Sequence, residues 1–506
     1  MRKTLLTGLI TAALILGMLT NSARAVAVSP CFTTLDSSFT LHIPVLAFDA
    51  GIFRVNLAYS AAGPAGAPGL WFTADLATFG ATSVTGCTNP ARVFVDSAAA
   101  PPTLLLRLPI VIYGSASLWA DLQYVQTTDG RYWFKLLTVG YTPNRVFVTS
   151  TKGDGNLSGW PGAGGKTGLE AADAVCQARA AVAGLPGAYR AWISDTNNDA
   201  YCRVHGLGGK KSANCGQPSL PASAGPWVRT DGFPFSGNIV ELVNDVKVIA
   251  PAATDESAMG FQSHDGLYFT STWTDGALSD ASRTCNNMTS SDDSVGVVGG
   301  GAFSGGTGWT NMWGGGCSGA NRLLCFQAGS GPSLPPYAVS GKKTFVTSVN
   351  GTGNLGSWPS AGGLAGINAG DATCRGLATA AGLPNASNFR AWLSTTTSNA
   401  RDRLTSVGPW VRLDGVPVAN SKADLIDGTL FAPINMTELS GLLLVERAWT
   451  GTVLDGTKQS GTCGDWTQAT SASSTNVGVT YDAGRMWTNW NSYTCDRSSH
   501  LYCFED

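Results

Sequence analysis

RVFVTSTKGDGNLSGWPGAGGKTGLEAADAVC, residues 145–176, has a counterpart later in the chain, KTFVTSVNGTGNLGSWPSAGGLAGINAGDATC, residues 343–374. The two stretches keep an offset of 198 residues without a gap. In each, a short strand-like segment leads through a glycine-rich loop into a segment whose Ala, Leu and Cys residues recur at helical spacing. This match predicts a duplicated domain that opens with a strand, a loop and a helix.

The match extends to the end of both copies. It continues through the following pairs: AGLPGAYRAWISD (183–195) with AGLPNASNFRAWLST (381–395), GPWVRTDG (225–232) with GPWVRLDG (408–415), and LLCF (323–326) with LYCF (501–504). One helix near the start, many short strands and long Gly- and Pro-rich sections predict an α+β domain. We call residues 144–328 copy one and residues 343–506 copy two, with a Pro/Gly/Ser-rich linker at 329–342.

The stretch GWPGAGGKTG (159–168) resembles a phosphate-binding loop only superficially. The phosphate-loop pattern requires Gly six residues before the Lys, and Trp160 stands there. Copy two has Leu364 in place of Lys166. We therefore predict no nucleotide binding and interpret the loop as a connection between the first strand and the helix.

The cysteines divide evenly among the regions of the chain. All 12 follow the N-terminal apolar segment, and none forms a CxxC pair. They are Cys31 and Cys87 before the copies; Cys176, Cys202, Cys215, Cys285, Cys317 and Cys325 in copy one; and Cys374, Cys463, Cys495 and Cys503 in copy two. Cys202 and Cys215 share an insertion that copy two lacks, so they are expected to pair with each other. An even number in each region predicts disulfides, although four cysteines alone allow three connectivities.

Residues 26–143 carry a second, weaker repeat. LHIPVLAF (41–48) followed by FRVNLAY (53–59) resembles LRLPIVIY (106–113) followed by LWADLQY (118–124), at an offset of 65. These segments alternate apolar and polar residues, which is typical of half-buried strands. The Pro in each favours a sheet edge or a strand end. We predict a small all-β domain, a sandwich of two similar units.

The N-terminus predicts export. Residues 1–25 have the layout of a signal peptide: Arg2 and Lys3, an apolar run, and Ala23-Arg24-Ala25 before the expected cleavage site. That run is too short to span a bilayer, and no second long apolar segment follows it. The expected location is therefore extracellular or periplasmic, with no membrane span.

Charge and histidine content exclude several kinds of partner and site. The chain of 506 residues has a net charge of −2, and only 13% of it is charged, which disfavours a nucleic-acid partner. The four histidines, His42, His205, His264 and His500, lie far apart in the sequence and do not predict a metal site.

The sequence does not predict catalysis. It has no GxSxG motif, and the acidic residues that recur in both copies are better explained by structure. Asp173 and Asp371 lie on the predicted helices, and Asp231 and Asp414 lie in PWVR-x-DG turns, where Asp-Gly is a turn former. We therefore predict a protein that is not an enzyme.

The helix, the RAW segment and the terminal LYCFED together suggest a family. Both copies resemble the endostatin-like branch of the C-type-lectin-like fold and the bacterial secreted domains grouped with it. The resemblance covers the two copies and leaves residues 26–143 out. It implies nested disulfides, Cys176–Cys325 with Cys285–Cys317 and Cys374–Cys503 with Cys463–Cys495. The expected fold class is thus an α+β multidomain protein, with an N-terminal all-β domain followed by two disulfide-stapled C-type-lectin-like domains.

The calcium motifs of sugar-binding members of that fold are missing here. Copy two has Trp490-Asn491-Ser492 where a Trp-Asn-Asp segment would supply ligands, and copy one has glycines. The segments 250–256 and 432–438 lack the Glu-Pro-Asn pattern. We therefore predict no cofactor. Calcium is the cofactor that the resemblance alone would suggest.

Tryptophan and asparagine cluster before the third shared cysteine of each copy. An indole ring can stack on the apolar face of a sugar, and amides can bond its hydroxyls, although core packing and turn formation would explain the same residues. The candidate ligand-binding residues are Trp309, Asn311 and Trp313 in copy one and Trp487, Asn489, Trp490 and Asn491 in copy two.

The expected function is binding outside the cell. The chain is interpreted as a secreted bacterial protein without catalysis, which recognises a glycan or a matrix protein through loops of its two copies, as in adhesion. Two other interpretations stay open: a secreted glycan-acting hydrolase with binding modules, and a structural surface protein.

Overall fold

The computed structural model describes residues 29–48, 51–75, 78–96, 103–113, 116–126, 130–261 and 265–506. These residues form a closed seven-stranded barrel and two further sheets, and 34% of the chain is strand against 18% helix. The predicted signal peptide, residues 1–25, lies outside the described residues.

The first sheet contains nine strands. They are β1 (Thr33–Leu35), β2 (Thr40–Phe48), β3 (Gly51–Ser60), β4 (Trp71–Asp75), β5 (Gly80–Ala81), β6 (Ala91–Asp96), β7 (Thr103–Tyr113), β8 (Ala116–Gln126) and β9 (Arg131–Tyr141). Seven of them close a barrel in the order β2-β6-β7-β8-β9-β4-β3, because β2 also pairs with β3. Alternate residues such as Leu41, Leu57, Leu106 and Leu122 point inward and form one core.

The sequence repeat of this region corresponds to two three-stranded antiparallel halves. β2-β3-β4 form one half and β7-β8-β9 the other. The halves join where β4 pairs with β9 and where β6 lies between β2 and β7. The predicted sandwich of two units was therefore wrong, because the two halves pair along both seams and leave no open edge between them.

The proline of each repeat lies at a bulge. The register shifts between Ile43 and Leu46 around Pro44, and between Leu108 and Val111 around Pro109. A bulge accepts Pro inside a sheet because one residue there is left out of the hydrogen-bond ladder. The expectation of an edge or a strand end for these prolines was thus incorrect.

Each copy is built on an eight-stranded sheet. The strands of copy one are β10 (Asn144–Val148), β11 (Tyr189–Ala191), β12 (Trp227–Arg229), β13 (Pro234–Ser236), β14 (Leu267–Phe269), β15 (Gly296–Gly301), β16 (Trp313–Gly316) and β17 (Arg322–Gln327). Those of copy two are β18 (Lys342–Val346), β19 (Phe389–Ala391), β20 (Trp410–Val411), β21 (Pro417–Ala419), β22 (Arg447–Trp449), β23 (Ser474–Val479), β24 (Asn491–Thr494) and β25 (His500–Glu505). The strand order β13-β12-β10-β17-β14-β15-β16 in copy one is repeated by β21-β20-β18-β25-β22-β23-β24 in copy two.

The helices are few and mostly short. The α-helices are α1 (Gly168–Val182), α2 (Ala200–Arg203), α3 (Ile239–Asn244), α4 (Cys285–Met288), α5 (Gly366–Ala380), α6 (Ala400–Arg403), α7 (Lys422–Leu425) and α8 (Cys463–Trp466). The 3₁₀ turns are Pro64–Gly66, Leu157–Gly159, Lys211–Gly216, Gly306–Trp309, Leu355–Ser357, Ala386–Asn388 and Arg485–Trp487. The predicted α+β class was therefore wrong, and the described chain is mostly β. The helical pattern occurs once in each copy, as α1 and α5, whereas the long Gly-rich sections form strands and turns.

Disulfides attach the long helices to the sheets. Cys176 of α1 is bonded to Cys325 of β17, and Cys374 of α5 to Cys503 of β25. The other four bonds are Cys31–Cys87, Cys202–Cys215, Cys285–Cys317 and Cys463–Cys495. In the copies this is the nested order that the family resemblance implies. Cys202 and Cys215 of the insertion are bonded to each other, as expected.

The two copies meet through equivalent positions. Ser304 forms an antiparallel bridge with Asp482, and the two residues occupy the same place relative to the shared cysteines. The Gly305 N–H donates to the Tyr481 carbonyl at 2.6 Å, and the Ala483 N–H donates to the Phe303 carbonyl at 2.8 Å. An interface that joins a segment to its own counterpart is the arrangement of a two-fold dimer, here formed within one chain.

A small apolar cluster extends this interface. It contains Phe233, Ile249 and Ala250 of copy one and Val416, Phe431 and Ala432 of copy two, which are equivalent positions, with Leu334 and Tyr337 of the linker packed against them. The Phe233 and Phe431 rings are stacked, with centroids 5.6 Å apart. The linker thus forms part of the contact between the copies.

Candidate functional site

Two of the candidate tryptophans lie in the cores of the copies. The side chains of Trp309 and Trp487 have no exposed surface. Trp309 packs on Trp192 with ring centroids 4.9 Å apart, and Trp487 packs on Trp392 in the equivalent contact at 5.3 Å. Neither ring presents a face to solvent, so both have a packing role.

The copy-one candidates do not form an exposed aromatic surface. Trp313 lies over Gly299, where an added Cβ would come within 2.4 Å of the indole, and its N–H donates to the Gly300 carbonyl at 3.2 Å. The rest of its strand is Gly314, Gly315 and Gly316. Asn311 is half-buried beside it. The structure therefore places the indole donor of Trp313 in an internal hydrogen bond.

The remaining copy-two candidates lie at or next to the free edge of the sheet. Asn491 begins β24, the last strand in the sheet order, and is exposed together with Ser492. Trp490 precedes the strand and is half-buried. Asn489 accepts a hydrogen bond from the Asn476 amide at 2.8 Å, so its side-chain oxygen is bonded within the protein and stabilises the edge.

Two arginines and a tyrosine complete this edge. The Arg447 guanidinium lies 5.0 Å from the ring centroid of Trp490 and 5.0 Å from that of Tyr493, while Arg497 lies 5.2 Å from Tyr493. The rings and cations attract each other through the ring quadrupole. We call Arg447, Trp490, Tyr493 and Arg497 the aromatic edge.

The aromatic edge is chemically amphipathic. It combines two ring surfaces, two positive charges and the neighbouring Asn491 amide. The buried Arg447 Nε has no hydrogen-bond partner among the described residues. Such a surface can stack on an apolar ring face, donate hydrogen bonds and attract a negative charge. Copy one has Leu267, Met312, Gly315 and Gly319 at the corresponding positions, so it lacks this surface.

The sequence indicated only part of this edge. Trp490 and Asn491 were predicted, whereas Arg447, Tyr493 and Arg497 were missed. Arg447 lies 43 positions before Trp490 and reaches it only because β22 and β24 both pair with β23. The available signal was the difference between the copies, since aromatic and basic residues in copy two replace small or aliphatic ones in copy one.

The recurring acids of the helices hold the fold together. The Ala191 N–H donates to Asp173 at 3.0 Å, and the Ala391 N–H donates to Asp371 at 2.9 Å. Burial raises the pKa of Asp173, while Arg203 and Arg190 act in the opposite direction. These carboxylates join the long helix of each copy to the strand that follows it.

The recurring acids of the Asp-Gly turns have a similar role. Asp231 forms an ion pair with Arg229, and Asp414 forms one with Arg412 at 2.8 Å. Burial opposes the charge of Asp231, yet Arg229 and the Thr88 hydroxyl lower its pKa overall. Both acids therefore stabilise turns, as predicted from the Asp-Gly pattern.

A further recurring acid was missed in the sequence. Glu256 accepts a hydrogen bond from the Ser150 N–H at 2.9 Å, and Glu438 accepts the equivalent bond from the Ser348 N–H at 2.9 Å. Both carboxylates are buried. The signal was present, because both glutamates end the matched segments 250–256 and 432–438.

The described residues contain no group of three or more metal-ligating side chains. His42 contacts Asp36, His205 contacts the Tyr201 carbonyl and His500 contacts the Thr347 carbonyl. His264 lies outside the described residues. Lys166 is exposed on a loop in which Gly164 and Gly165 have positive φ angles, as the equivalent Gly362 and Gly363 do.

Comparison with protein families and with curated proteins identifies no relative. No protein-family description matches the chain, and no curated protein matches it. None of the helices in the described part of the chain is long and apolar enough to cross a membrane. The six disulfides fit a protein that folds in an oxidising, extracellular compartment.

Proposed function

We propose that this chain is a non-catalytic extracellular binding protein that recognises a glycan or a matrix protein through the aromatic edge of copy two. The observation that carries the proposal is the grouping of Trp490, Tyr493 and two guanidinium groups at a sheet edge. Aromatic and arginine side chains contribute most of the binding energy at many recognition surfaces. The resemblance of both copies to C-type-lectin-like domains supports the same function, and the nested disulfides are consistent with it.

A binding array tests this proposal directly. The full chain is applied to immobilised glycans and matrix proteins, once with calcium and once with a chelator. Trp490→Ala and Tyr493→Ala are expected to weaken binding by about tenfold or more. The matched control is Trp273→Ala, because Trp273 is a half-exposed tryptophan of copy one, with 51% exposure, away from the aromatic edge.

Each alternative function has its own outcome in this assay. Turnover of a glycan that is abolished by one Asp or Glu substitution would establish the hydrolase. No binding to any glycan or matrix protein would favour a structural surface protein. Equal binding by Trp490→Ala and the natural chain would contradict the aromatic edge as the contact surface.

A further inference from the structure

A second candidate site lies where the barrel, both copies and the linker meet. A cavity of about 480 Å³ opens at this junction, which is within the size range of small-molecule sites. It shares no residue with the aromatic edge. Its walls come from β6, β7 and β8 of the barrel, the Asp-Gly turn of copy one, the linker and β21 of copy two.

The walls of this cavity are mainly apolar. Six of the lining residues are prolines, among them Pro109 at the barrel bulge and Pro335 and Pro336 of the linker. Proline has no N–H, so this lining offers few backbone donors. Aromatic rings complete the walls, including Phe94, Trp119 and Tyr337. A ligand rich in hydroxyl groups would leave many of its hydrogen bonds unmade here, whereas a flat apolar ring would not.

One positive charge in the cavity, Arg92, has no carboxylate in ion-pair contact among the described residues. Arg92 Nη2 donates to the Asn89 side chain at 2.6 Å, and Nη1 donates to the Asn420 side chain. Both partners are neutral amides. Among the described residues, no carboxylate oxygen lies within 4.0 Å, the distance of an ion pair, of an Arg92 side-chain nitrogen. Its guanidinium lies 5.3 Å from the centroid of the Phe431 ring.

Two other charged groups around the cavity, Arg107 and Asp231, are held in ion pairs. Arg107 is held by Asp121 through two hydrogen bonds, of 2.9 and 2.8 Å. Asp231 is paired with Arg229, whereas Asp424 accepts the Asn420 N–H at 2.6 Å and interacts electrostatically with Arg92 at longer range. The cavity therefore presents one cation, Arg92, beside apolar walls and without a carboxylate in ion-pair contact among the described residues, while Asp424 and Asp231 act on it from a longer distance. Electrostatic attraction is stronger beside apolar walls than in bulk water, because the local dielectric constant is lower.

We propose that this junction cavity binds a small aromatic carboxylate, with its ring between the apolar walls and its carboxylate on Arg92. Asn89 and Asn420 orient the guanidinium, so that a planar carboxylate can receive its N–H groups. Because barrel, copies and linker all contribute walls, the ligand also stabilises their association.

The test compares two probes that share a naphthalene ring and differ in its substituent, a charged carboxylate or a neutral amide. Isothermal titration of the full chain with 2-naphthoate is expected to show one site, and the neutral 2-naphthamide should bind at least about tenfold more weakly. Arg92→Gln should remove this preference for naphthoate. Arg92→Lys keeps the positive charge and should therefore keep part of the preference. The matched control is Arg54→Gln, because Arg54 is an exposed barrel arginine outside the cavity.

A second variant tests the apolar wall. Trp119→Ala is expected to weaken the binding of both probes, since each loses its ring contact. Equal affinity for naphthoate and naphthamide, unchanged naphthoate binding by Arg92→Gln, or no binding of naphthoate to the natural chain would each overturn the proposal. None of these results bears on the aromatic edge, whose residues lie elsewhere.

Discussion

At the scale of single residues, equivalent positions in the two copies have diverged where the copies touch. Ser304 and Asp482 face each other across the interface, with the Ser304 hydroxyl 3.2 Å from Asp482 Oδ2. Asp482 is buried, and this burial raises its pKa to about 7. One copy thus carries a neutral hydroxyl and the other an acid that holds its proton to unusually high pH.

The stability of the protein should therefore depend on the pH through Asp482. Its folded-state pKa of about 7 lies above the ordinary value of 3.8, so the folded chain keeps a proton that the unfolded chain releases. The contribution of Asp482 to the free energy of unfolding is therefore complete below about pH 4. It should be lost by up to about 1.4 kcal/mol per pH unit as the pH rises toward 7.

Chemical denaturation between pH 4 and 8 measures this effect. Asp482→Asn keeps an acceptor for the Gly484 N–H and has no charge, so its free energy of unfolding should fall less steeply with pH. Asp455→Asn is the control: a hydrogen bond from Thr457 lowers the pKa of Asp455, which is therefore already ionised over this range. Identical slopes for Asp482→Asn and the natural chain would contradict the expectation.

At the scale of elements, one disulfide joins each long helix to the sheet of its copy. The Cys176–Cys325 bond closes 149 residues, whereas Cys202–Cys215 closes only 13 within the insertion. A longer closed loop removes more conformational freedom from the unfolded chain. The long bond should therefore contribute more to stability than the short one.

Paired Cys→Ala substitutions compare the two bonds. Since all four cysteines are buried, the cavities that the substitutions create are similar. Removing Cys176–Cys325 is expected to lower the free energy of unfolding by about 2 kcal/mol more than removing Cys202–Cys215. Equal losses in denaturant titrations would show that closure of the long loop does not govern the stability of copy one.

The elements also show where sequence patterns are reliable. The helices α1 and α5 were expected from their periodic Ala, Leu and Cys residues, and they form. The strands β15, β16, β23 and β24 lie in sections rich in Gly, Ser and Thr, where no alternation of apolar residues stands out. Their hydrogen bonds come from partners distant in the sequence, so local patterns understated the strand content.

At the scale of the whole molecule, the copies form an internal two-fold contact rather than two modules on a free spacer. The stacked rings of Phe233 and Phe431 form part of this contact. Aromatic pairs of this kind contribute about 0.5–1.5 kcal/mol beyond their area burial. Folding of copy one should therefore be coupled to folding of copy two.

A double-mutant cycle with Phe233→Ala and Phe431→Ala measures this coupling. We expect an interaction free energy of about 1 kcal/mol in denaturant unfolding. The cycle of Trp273→Ala with Phe431→Ala is the control and should be additive, because Trp273 is on the surface of copy one outside the cluster. Additivity in both cycles would mean that the copies unfold independently.

The sequence by itself determined the duplication, the even division of cysteines among regions, the two long helices and the strand character of the N-terminal region. These follow from local spacing and from comparison of the chain with itself. Only the tertiary structure decided that the N-terminal strands close into a barrel and that Trp309 and Trp487 are core residues. It also brought Arg447 to Trp490 and placed Arg92 at the junction with no carboxylate in ion-pair contact among the described residues. Each of these depends on contacts between residues far apart in the chain, which no local pattern encodes.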